Sequence, residues 1–354
     1  MKPLVPNIKI SAIAACVPNN VFDVRLLGKE FGELEVEKII SSTGISKLRI
    51  ADDKTCCSDL CEAAARELIN SKLVDKEDID GIVFISQTPD YILPVTSLSL
   101  QKRLRIGTNC IAFDITYGCS AYIYGLFQGA LLVSSGSCKK VLVCAGDKIT
   151  PYVHPKDRSI KLLFGDGGSA TIIEKGEDTL FFDFFSDGNG GENLIIPSGR
   201  CRYPLSEQSK IATEREGGNF RSDENLYMDG IEIMNFALRE VPKSVKNVCE
   251  NAGWNINDIN MFGFHQANAF MLKYIAKIMK VPIEKIPIAM CEIGNTGPAS
   301  IPLMLTEARE RISEKNMLNK VVLCGFGVGL SCASVALTLK NTKILNTVEY
   351  EHTI

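Results

Sequence analysis

Short apolar runs alternate along the chain with longer segments of helical periodicity. The apolar runs predict strands over residues 82–85, 141–144, 171–173 and 321–324, after a first strand in the N-terminal stretch. The periodic segments predict helices over residues 58–69, 231–251, 269–279 and 300–313. Strands that are apolar along their whole length are typical of sheets covered on both faces, so the pattern predicts an α/β fold.

Two pairs of similar segments lie 180 residues apart. Asp78-Ile79-Asp80 is matched by Asp258-Ile259-Asn260, and the run KVLVCAG at 140–146 is matched by KVVLCGF at 320–326. Two independent pairs at one offset favour a duplicated architecture. The Gly176-Glu177-Asp178 turn then divides the chain into an N-terminal half, 1–177, and a C-terminal half, 178–354.

Residues 186–227 form a long connection that is rich in glycine and shows no clear element. Long connections of this kind are usually functional or disordered, and we interpret this one as a cap near the site.

The 24 residues between Asp114 and Lys139 carry no charge, and a segment of this length could span a membrane. However, Gly118, Gly125, Gly129 and several hydroxyl side chains interrupt the apolar residues. We therefore favour a helix at the centre of a large protein over a membrane helix.

Composition narrows the function classes. The 354 residues include 39 Lys and Arg against 42 Asp and Glu, a net charge of −3, which argues against a nucleic-acid partner. Thirteen cysteines are scattered along the chain, several inside apolar runs, as in a reduced cytoplasmic protein. Cys56, Cys57 and Cys61 lack the paired spacing of metal ligands, so no metal is expected. Lys9 within the first apolar stretch argues against a secretory leader.

Cys119 is the candidate nucleophile. A strand-like run ends at Gly118, and Cys119 then opens the uncharged helix, where free N–H groups and the helix dipole favour a thiolate. The alternative is a thiol that packs beneath a turn, because twelve other cysteines compete for the role.

Two further segments carry candidate polar groups. His265 follows the apolar run ending at Phe264, at the carboxyl end of a predicted strand, where open α/β sheets place their sites. Asn295 lies between glycines before a predicted helix, and it either points into a cavity or caps that helix.

A glycine-rich segment, Gly325-Phe326-Gly327-Val328-Gly329, follows a predicted buried strand. Its glycines permit close backbone approach, which suits an N–H donor to an oxyanion. It lacks the dinucleotide pattern, and the glycines at 165–168 lack the lysine of a phosphate loop.

These residues resemble a known family. Cys119 in DITYGCSAYIYGL, His265 in HQAN and Asn295 in GNTGPASIP are similar to the Cys–His–Asn set of β-ketoacyl-acyl-carrier-protein synthase III enzymes, in the thiolase superfamily. SQTPDYILP, DRSIKLLFGDGGSA, YMDGIEIMNFAL and GFGVGLS also follow in family order. The resemblance implies a five-layered α/β/α/β/α fold built from two pseudo-duplicated halves.

The resemblance also implies a mechanism. Cys119 would take an acyl group from a thioester, with its own N–H and that of Val328 holding the oxyanion. His265 and Asn295 would bind a malonyl thioester as it loses CO2, and the resulting carbanion would attack the acyl-cysteine. The implied reaction uses no metal or redox cofactor; coenzyme A or carrier-protein thioesters are the substrates.

Several positions depart from the family pattern. The family's tryptophan and arginine for coenzyme A are missing from residues 38–45, although Arg158 remains as a coenzyme A contact. Phe270 stands where the family often has an arginine that docks the carrier protein, and Lys273, Lys277 and Lys280 either replace it or form a solvated face. Family members are usually homodimers, and Leu93-Pro94 resembles the segment that reaches the partner's pocket.

The candidate residues and the resemblance leave three functions open. The first is a decarboxylating condensing enzyme of fatty-acid or specialised biosynthesis. The second is an acyltransferase that uses the same cysteine and histidine to pass the acyl group to a hydroxyl or amine. The third is a non-catalytic subunit that binds a carrier protein, which the complete Cys–His–Asn set argues against.

Overall fold

The computed structural model describes residues 3–352. Its strands are β1 (Leu4–Pro18), β2 (Val21–Asp23), β3 (Lys47–Arg49), β4 (Gly81–Ile85), β5 (Ile111–Ile115), β6 (Lys140–Asp147), β7 (Gly167–Lys175), β8 (Asp178–Ser186), β9 (Leu194–Ile195), β10 (Thr213–Glu214), β11 (Phe220–Arg221), β12 (Tyr227–Met228), β13 (Met261–Phe264), β14 (Val321–Gly327), β15 (Ser331–Leu337), β16 (Lys343–Ile344) and β17 (Val348–Tyr350). Its helices are α1 (Gly28–Phe31), α2 (Glu33–Thr43), α3 (Cys57–Asn70), α4 (Thr96–Arg103), α5 (Ala121–Ser134), α6 (Arg158–Lys161), α7 (Gly230–Ala252), α8 (Ala269–Met279), α9 (Ser300–Glu307) and α10 (Arg309–Glu314).

One long sheet contains strands of both halves in the order β13-β14-β15-β8-β1-β7-β6-β4-β5. The pairs β4–β5, β4–β6 and β13–β14 are parallel, and the other neighbours on this path are antiparallel. The central strands are buried along nearly their whole length, as their continuous apolar pattern predicts.

The predicted repeat is confirmed in the strand order and in its contacts. The order β4, β6, β7, β1 matches β13, β14, β15, β8. The Lys140 N–H donates to Asp80 Oδ1 at 3.0 Å, and the Lys320 N–H donates to Asn260 Oδ1 at 2.9 Å. The residues at 176 and 177, the predicted boundary, form the turn that joins β7 to β8.

The helices and the two parts of the sheet form five layers. α5 contacts β4 and β6 on one side and β14 and β15 on the other, so the two parts of the sheet face each other across it. α9 joins this central layer through β1, β7 and β13. α3 and α4 cover the outer face of the first part, and α7 with α8 covers the outer face of the second. The architecture is the five-layered α/β/α/β/α arrangement that the resemblance implies.

The uncharged segment is confirmed as a central helix. α5 has 14 residues, and most of its side chains are buried between the two parts of the sheet. Across residues 3–352, every helix is too short or too polar to cross a membrane.

Two predictions about elements are wrong. The helix predicted over 300–313 is two helices, α9 and α10, which meet at Ala308. The segment 186–227 does contain elements, because β9 pairs with β12 and β10 pairs with β11. These strands have only two residues each, which is too short for an alternating pattern to show in the sequence.

Candidate active site

Cys119 lies in the turn between β5 and α5. The side chain is only 6% exposed, and helix α5 begins two residues later at Ala121. Gly118 allows this turn to approach the neighbouring loop, because a Cβ at that position would lie 2.0 Å from Val328 Cγ1. Only glycine fits so close to the neighbouring segment, and Cys119 is therefore held against Val328.

Two backbone N–H groups, that of Cys119 itself and that of Val328, lie beside the Cys119 sulfur and act to lower its pKa. Gly327 brings the second donor close: its φ is 147°, and a Cβ there would lie 3.1 Å from the sulfur. These are the two N–H groups that the family resemblance implies as oxyanion donors. They are preorganised donors at a buried site.

Burial, with a smaller contribution from Asp147, raises the pKa of the Cys119 thiol to about 12, despite the two N–H donors. The backbone N–H groups still favour the thiolate, as the sequence analysis expects, but burial has the larger effect on this pKa. Cys119 precedes the first helical residue, and removal from water outweighs the dipole.

His265 follows the last residue of β13 and is 2% exposed. Its N–H donates to the Cys324 carbonyl at 2.9 Å, which extends the pairing of β13 with β14. Its Nδ1 lies 2.6 Å from Ser300 Oγ, and the edge of its ring meets Phe326 at a centroid distance of 5.5 Å. The imidazole is therefore fixed on two sides.

Burial lowers the pKa of His265 to about 3, and the nearby backbone of Gly297 opposes the shift only in part. The side chain is neutral at physiological pH and can act as a hydrogen-bond donor or acceptor there.

Asn295 is buried beside the start of the α9 region. Its Oδ1 accepts the Gly297 N–H at 3.1 Å, and its backbone N–H donates to the Leu163 carbonyl at 2.8 Å. The side chain thus stabilises the turn before α9 and also lines a cavity, but the N-cap of α9 is Ala299 and not Asn295.

Two cavities meet at Cys119, Phe164 and Leu194. The larger, about 250 Å³, extends from Cys119 between Gln87, Asp147 and a set of apolar side chains: Ile149, Ile195, Ile196, Leu226 and Val328. The smaller, about 70 Å³, contains Cys119, His265 and Asn295. The structure therefore brings the three predicted side chains to one place.

Known proteins share this architecture over the whole chain. The family model for 3-oxoacyl-[acyl-carrier-protein] synthase III matches residues 113–190, and the model for its C-terminal domain matches residues 249–339. β-Ketoacyl-[acyl-carrier-protein] synthase III of Streptococcus sanguinis is 32% identical over 94% of this chain and 99% of its own. A Campylobacter jejuni protein provisionally named as a 3-oxoacyl-[acyl-carrier-protein] synthase 3 is 34% identical over 99% of each chain.

Solved structures agree. The 3-oxoacyl-(acyl-carrier protein) synthase of Burkholderia xenovorans superposes with a TM-score of 0.91, at 38% identity over 99% of each chain. The synthase III of Pseudomonas aeruginosa has a TM-score of 0.78, at 29% identity over 94% of this chain and 98% of that one. The chain belongs to the β-ketoacyl-acyl-carrier-protein synthase III family. It is an acyltransferase-type condensing enzyme.

The sequence analysis did not identify two polar residues of this synthase III, Gln87 and Asp147, which line the larger cavity with Cys119. Asp147 is 1% exposed, accepts hydrogen bonds from Ser86 and Gln87, and lines the larger cavity with Gln87. Asp147 ends β6 and Gln87 follows β4, both at the carboxyl ends of parallel strands. Because α/β sheets place their sites at the carboxyl ends of the strands, this position could have identified both residues from the sequence. Ser300, the partner of His265, has no comparable signal.

Two other predictions for the synthase concern the segment 186–227 and Arg158. The segment 186–227 supplies Leu194, Ile196 and Leu226 to the larger cavity, as expected of a cap near the site. Arg158 is outside the residues that line either cavity, and its backbone N–H donates to Asn219 Oδ1 of that segment at 3.0 Å.

Proposed function

We propose that Cys119 is the nucleophile of the acyl-transfer step. Its sulfur bonds to the carbonyl carbon of an acyl thioester, the donor's carbon–sulfur bond breaks, and the cysteine proton leaves with the departing thiol. The N–H groups of Cys119 and Val328 already contact the sulfur, and they lie next to the site where the oxyanion develops. The raised thiol pKa keeps the resting cysteine protonated, so the proton must leave as the bond forms.

The smaller cavity suits the condensation step. We assign Ser300 Oγ, which lies 2.6 Å from His265 Nδ1, as the donor in that hydrogen bond. The neutral imidazole then carries its proton on Nε2. Because Asn295 Oδ1 is used by Gly297, the carboxamide offers its NH2 group to a ligand. These two donors would bind the malonyl thioester carbonyl and stabilise the enolate that forms as CO2 leaves.

One observation carries this proposal: Cys119 is the nucleophilic residue among those shared by the larger cavity and the smaller, His265–Asn295 cavity. An acyl group on the sulfur can extend into the first cavity while the acceptor occupies the second. The carbanion then attacks the acyl carbon, a new carbon–carbon bond forms and the Cys119 sulfur is released.

The test combines an acyl thioester with a malonyl thioester and measures both CO2 and product. We expect the unaltered chain to release CO2 in equal amount with a 3-oxoacyl thioester, and we expect Cys119→Ala to form no 3-oxoacyl thioester. Transfer of the acyl group to a hydroxyl or amine without CO2 would contradict condensation.

The proposed donors and acceptors are coenzyme A or carrier-protein thioesters. Lys273, Lys277 and Lys280 are exposed on α8 and at its C-terminal end, close to the residues of α8 that line the smaller cavity. A cationic patch at this position suits an anionic partner such as a carrier protein or the phosphates of coenzyme A. We assign Arg158 to the same role through the cap segment, because its backbone N–H donates to Asn219 Oδ1 there.

We further propose a cytoplasmic homodimer. Tyr91, Ile92 and Leu93 form an exposed apolar segment, with exposed fractions of 62%, 81% and 79%, of the kind that protein interfaces cover. All thirteen cysteines carry free thiols, which suits a reducing compartment.

A further inference from the structure

The larger cavity beside Cys119 has one polar wall. Most of its lining is apolar, with Leu, Ile, Val and Phe side chains, but Gln87 and Asp147 face it together next to the nucleophile. A polar group in an apolar ligand cavity usually fixes the orientation or identity of the ligand. The orientation of the Gln87 amide decides whether this wall presents a hydrogen-bond donor or an acceptor.

Asp147 fixes the orientation of the Gln87 amide. Its carboxylate accepts the Gln87 backbone N–H and the Gln87 Nε2, each at 2.7 Å, and it also accepts Ser86 Oγ at 2.8 Å. A flipped amide would place Oε1 against the carboxylate, and two acceptors repel each other. Gln87 is therefore held with Nε2 on Asp147 and with Oε1 turned away from it.

Gln87 Oε1 lies beside the nucleophile and has a free acceptor site. It is 2.7 Å from the position that a Cβ on Gly118 would occupy, next to Cys119. Within residues 3–352 no side-chain or backbone group donates a hydrogen bond to it. A plain alkyl chain packed against this oxygen would displace water from it without offering a donor, which is unfavourable.

We infer that Gln87 selects short acyl donors that carry a hydroxyl group on one of the first carbons after the thioester carbonyl. This inference rests on the proposed role of Cys119 and names the class of acyl group. The hydroxyl donates to Gln87 Oε1, and the rest of the chain contacts the apolar side chains. A cavity of about 250 Å³ lies at the small end of the range for ligand pockets, which limits the chain to a short one.

The test follows acylation of the intact chain by mass spectrometry at pH 7.5. Burial raises the pKa of Asp147 to about 6, so at this pH the carboxylate is ionised and only accepts hydrogen bonds. The donors are N-acetylcysteamine thioesters of butyrate, 2-hydroxybutyrate and 3-hydroxybutyrate, which need neither coenzyme A nor carrier-protein contacts. In each reaction Cys119 takes the acyl group and its proton leaves with N-acetylcysteamine.

We expect one of the two hydroxyacyl donors to load at least about tenfold faster than butyrate. Gln87→Met, which keeps the length and removes the acceptor, should abolish the preference. Ile196→Val is the matched control, because it changes the apolar part of the cavity and should alter all donors in similar proportion. Asp147→Asn allows the Gln87 amide to flip. That variant should prefer a fourth donor, the 3-oxobutyryl thioester, whose 3-oxo group only accepts hydrogen bonds.

The outcomes separate this inference from the proposed function. Equal loading of all three donors by the unaltered chain overturns the inference alone, and so does an unchanged preference in Gln87→Met. The first comparison holds even if a variant fails to fold. Absence of any Cys119 adduct, from every donor, overturns the proposed function and the inference with it.

Discussion

Ser300 holds the imidazole of His265, with Oγ 2.6 Å from Nδ1. The two residues come from different elements, because His265 follows strand β13 and Ser300 begins helix α9. The contact orients a neutral ring toward the cavity that contains Cys119 and Asn295. A buried neutral histidine of this kind stabilises developing charge through a hydrogen bond and not through a positive charge.

His265→Ala should separate the two steps of the reaction. Removal of a donor aimed at developing negative charge costs about 10²–10³ in rate, so we expect CO2 release to fall by that factor. The acyl adduct on Cys119 should still form, because the oxyanion donors that we propose for this step are backbone groups. The measurements are radiolabelled CO2 release and adduct mass on the same sample. Unchanged CO2 release would remove the role of His265.

Ser300→Ala should act in the same direction but less strongly, because Ser300 only positions the ring. A positioning role predicts partial loss of CO2 release with normal acylation, and Ser300→Thr, which retains the hydroxyl, should recover part of the activity. Equal loss in Ser300→Ala and Ser300→Thr would indicate a packing defect instead.

Gly118→Ala should damage acyl capture and stability together. The added Cβ would lie 2.0 Å from Val328 Cγ1, so the Val328 segment must move away from the sulfur. Overpacking of this kind costs about 1–3 kcal/mol of unfolding free energy. Denaturant unfolding and acylation rate measure the two effects. Gly107→Ala is the control, since its Cβ would meet open space. A Gly118→Ala protein with normal acylation would contradict the placement of Val328.

The buried His265 should destabilise the protein in acid. Its ordinary pKa is 6.5 and burial lowers the pKa to about 3 in the folded chain, so between these values the unfolded chain binds a proton that the folded chain does not. The stability is complete above pH 6.5 and is lost as the pH falls toward 3. The slope approaches about 1.4 kcal/mol per pH unit.

Asp147 acts in the opposite direction, because its raised pKa removes stability as the pH rises from about 4 to about 6. The comparison of unaltered protein with His265→Gln isolates the histidine. We expect the difference in unfolding free energy between them to fall steadily from pH 6.5 to pH 4. A difference that is constant over this range would show that His265 titrates normally.

The α8 lysines should affect a carrier-bound acceptor only. Lys273→Glu with Lys277→Glu should raise KM for malonyl-carrier protein severalfold, and the effect should shrink at high salt. KM for malonyl-N-acetylcysteamine should change little, since that acceptor reaches the cavity without docking. Lys315→Glu, at an exposed lysine after α10, is the matched charge reversal. Equal changes in both KM values would identify the lysines as a solvated face.

Much of the fold could be predicted because its buried strands and helices have strong periodic patterns. Helix α8 begins and ends where the pattern predicts, and the 180-residue offset appears in the matching contacts of Asp80 and Asn260. The break at Ala308 and the two-residue strands of the cap leave no periodic signal, so the sequence could not reveal them.

The site was only partly visible in the sequence. Cys119, His265 and Asn295 each follow a glycine or a strand end, which marks them as candidates. Their convergence depends on how β5, β13 and α9 pack, and no local pattern encodes it. The protonated state of Cys119 was not predictable for the same reason, since burial by the surrounding fold sets it. The contact of Ser300 with His265 was not predictable either, because the two residues lie 35 positions apart in the sequence.

Covalent capture of an acyl group on Cys119 is the central claim, and intact-protein mass spectrometry tests it most directly. The unaltered chain incubated with a short acyl thioester should gain the mass of one acyl group, with the modified peptide containing Cys119. Cys119→Ala should gain none, whereas Cys201→Ala, which removes an exposed thiol, should gain the same mass as the unaltered chain. An undiminished adduct on Cys119→Ala would contradict the account.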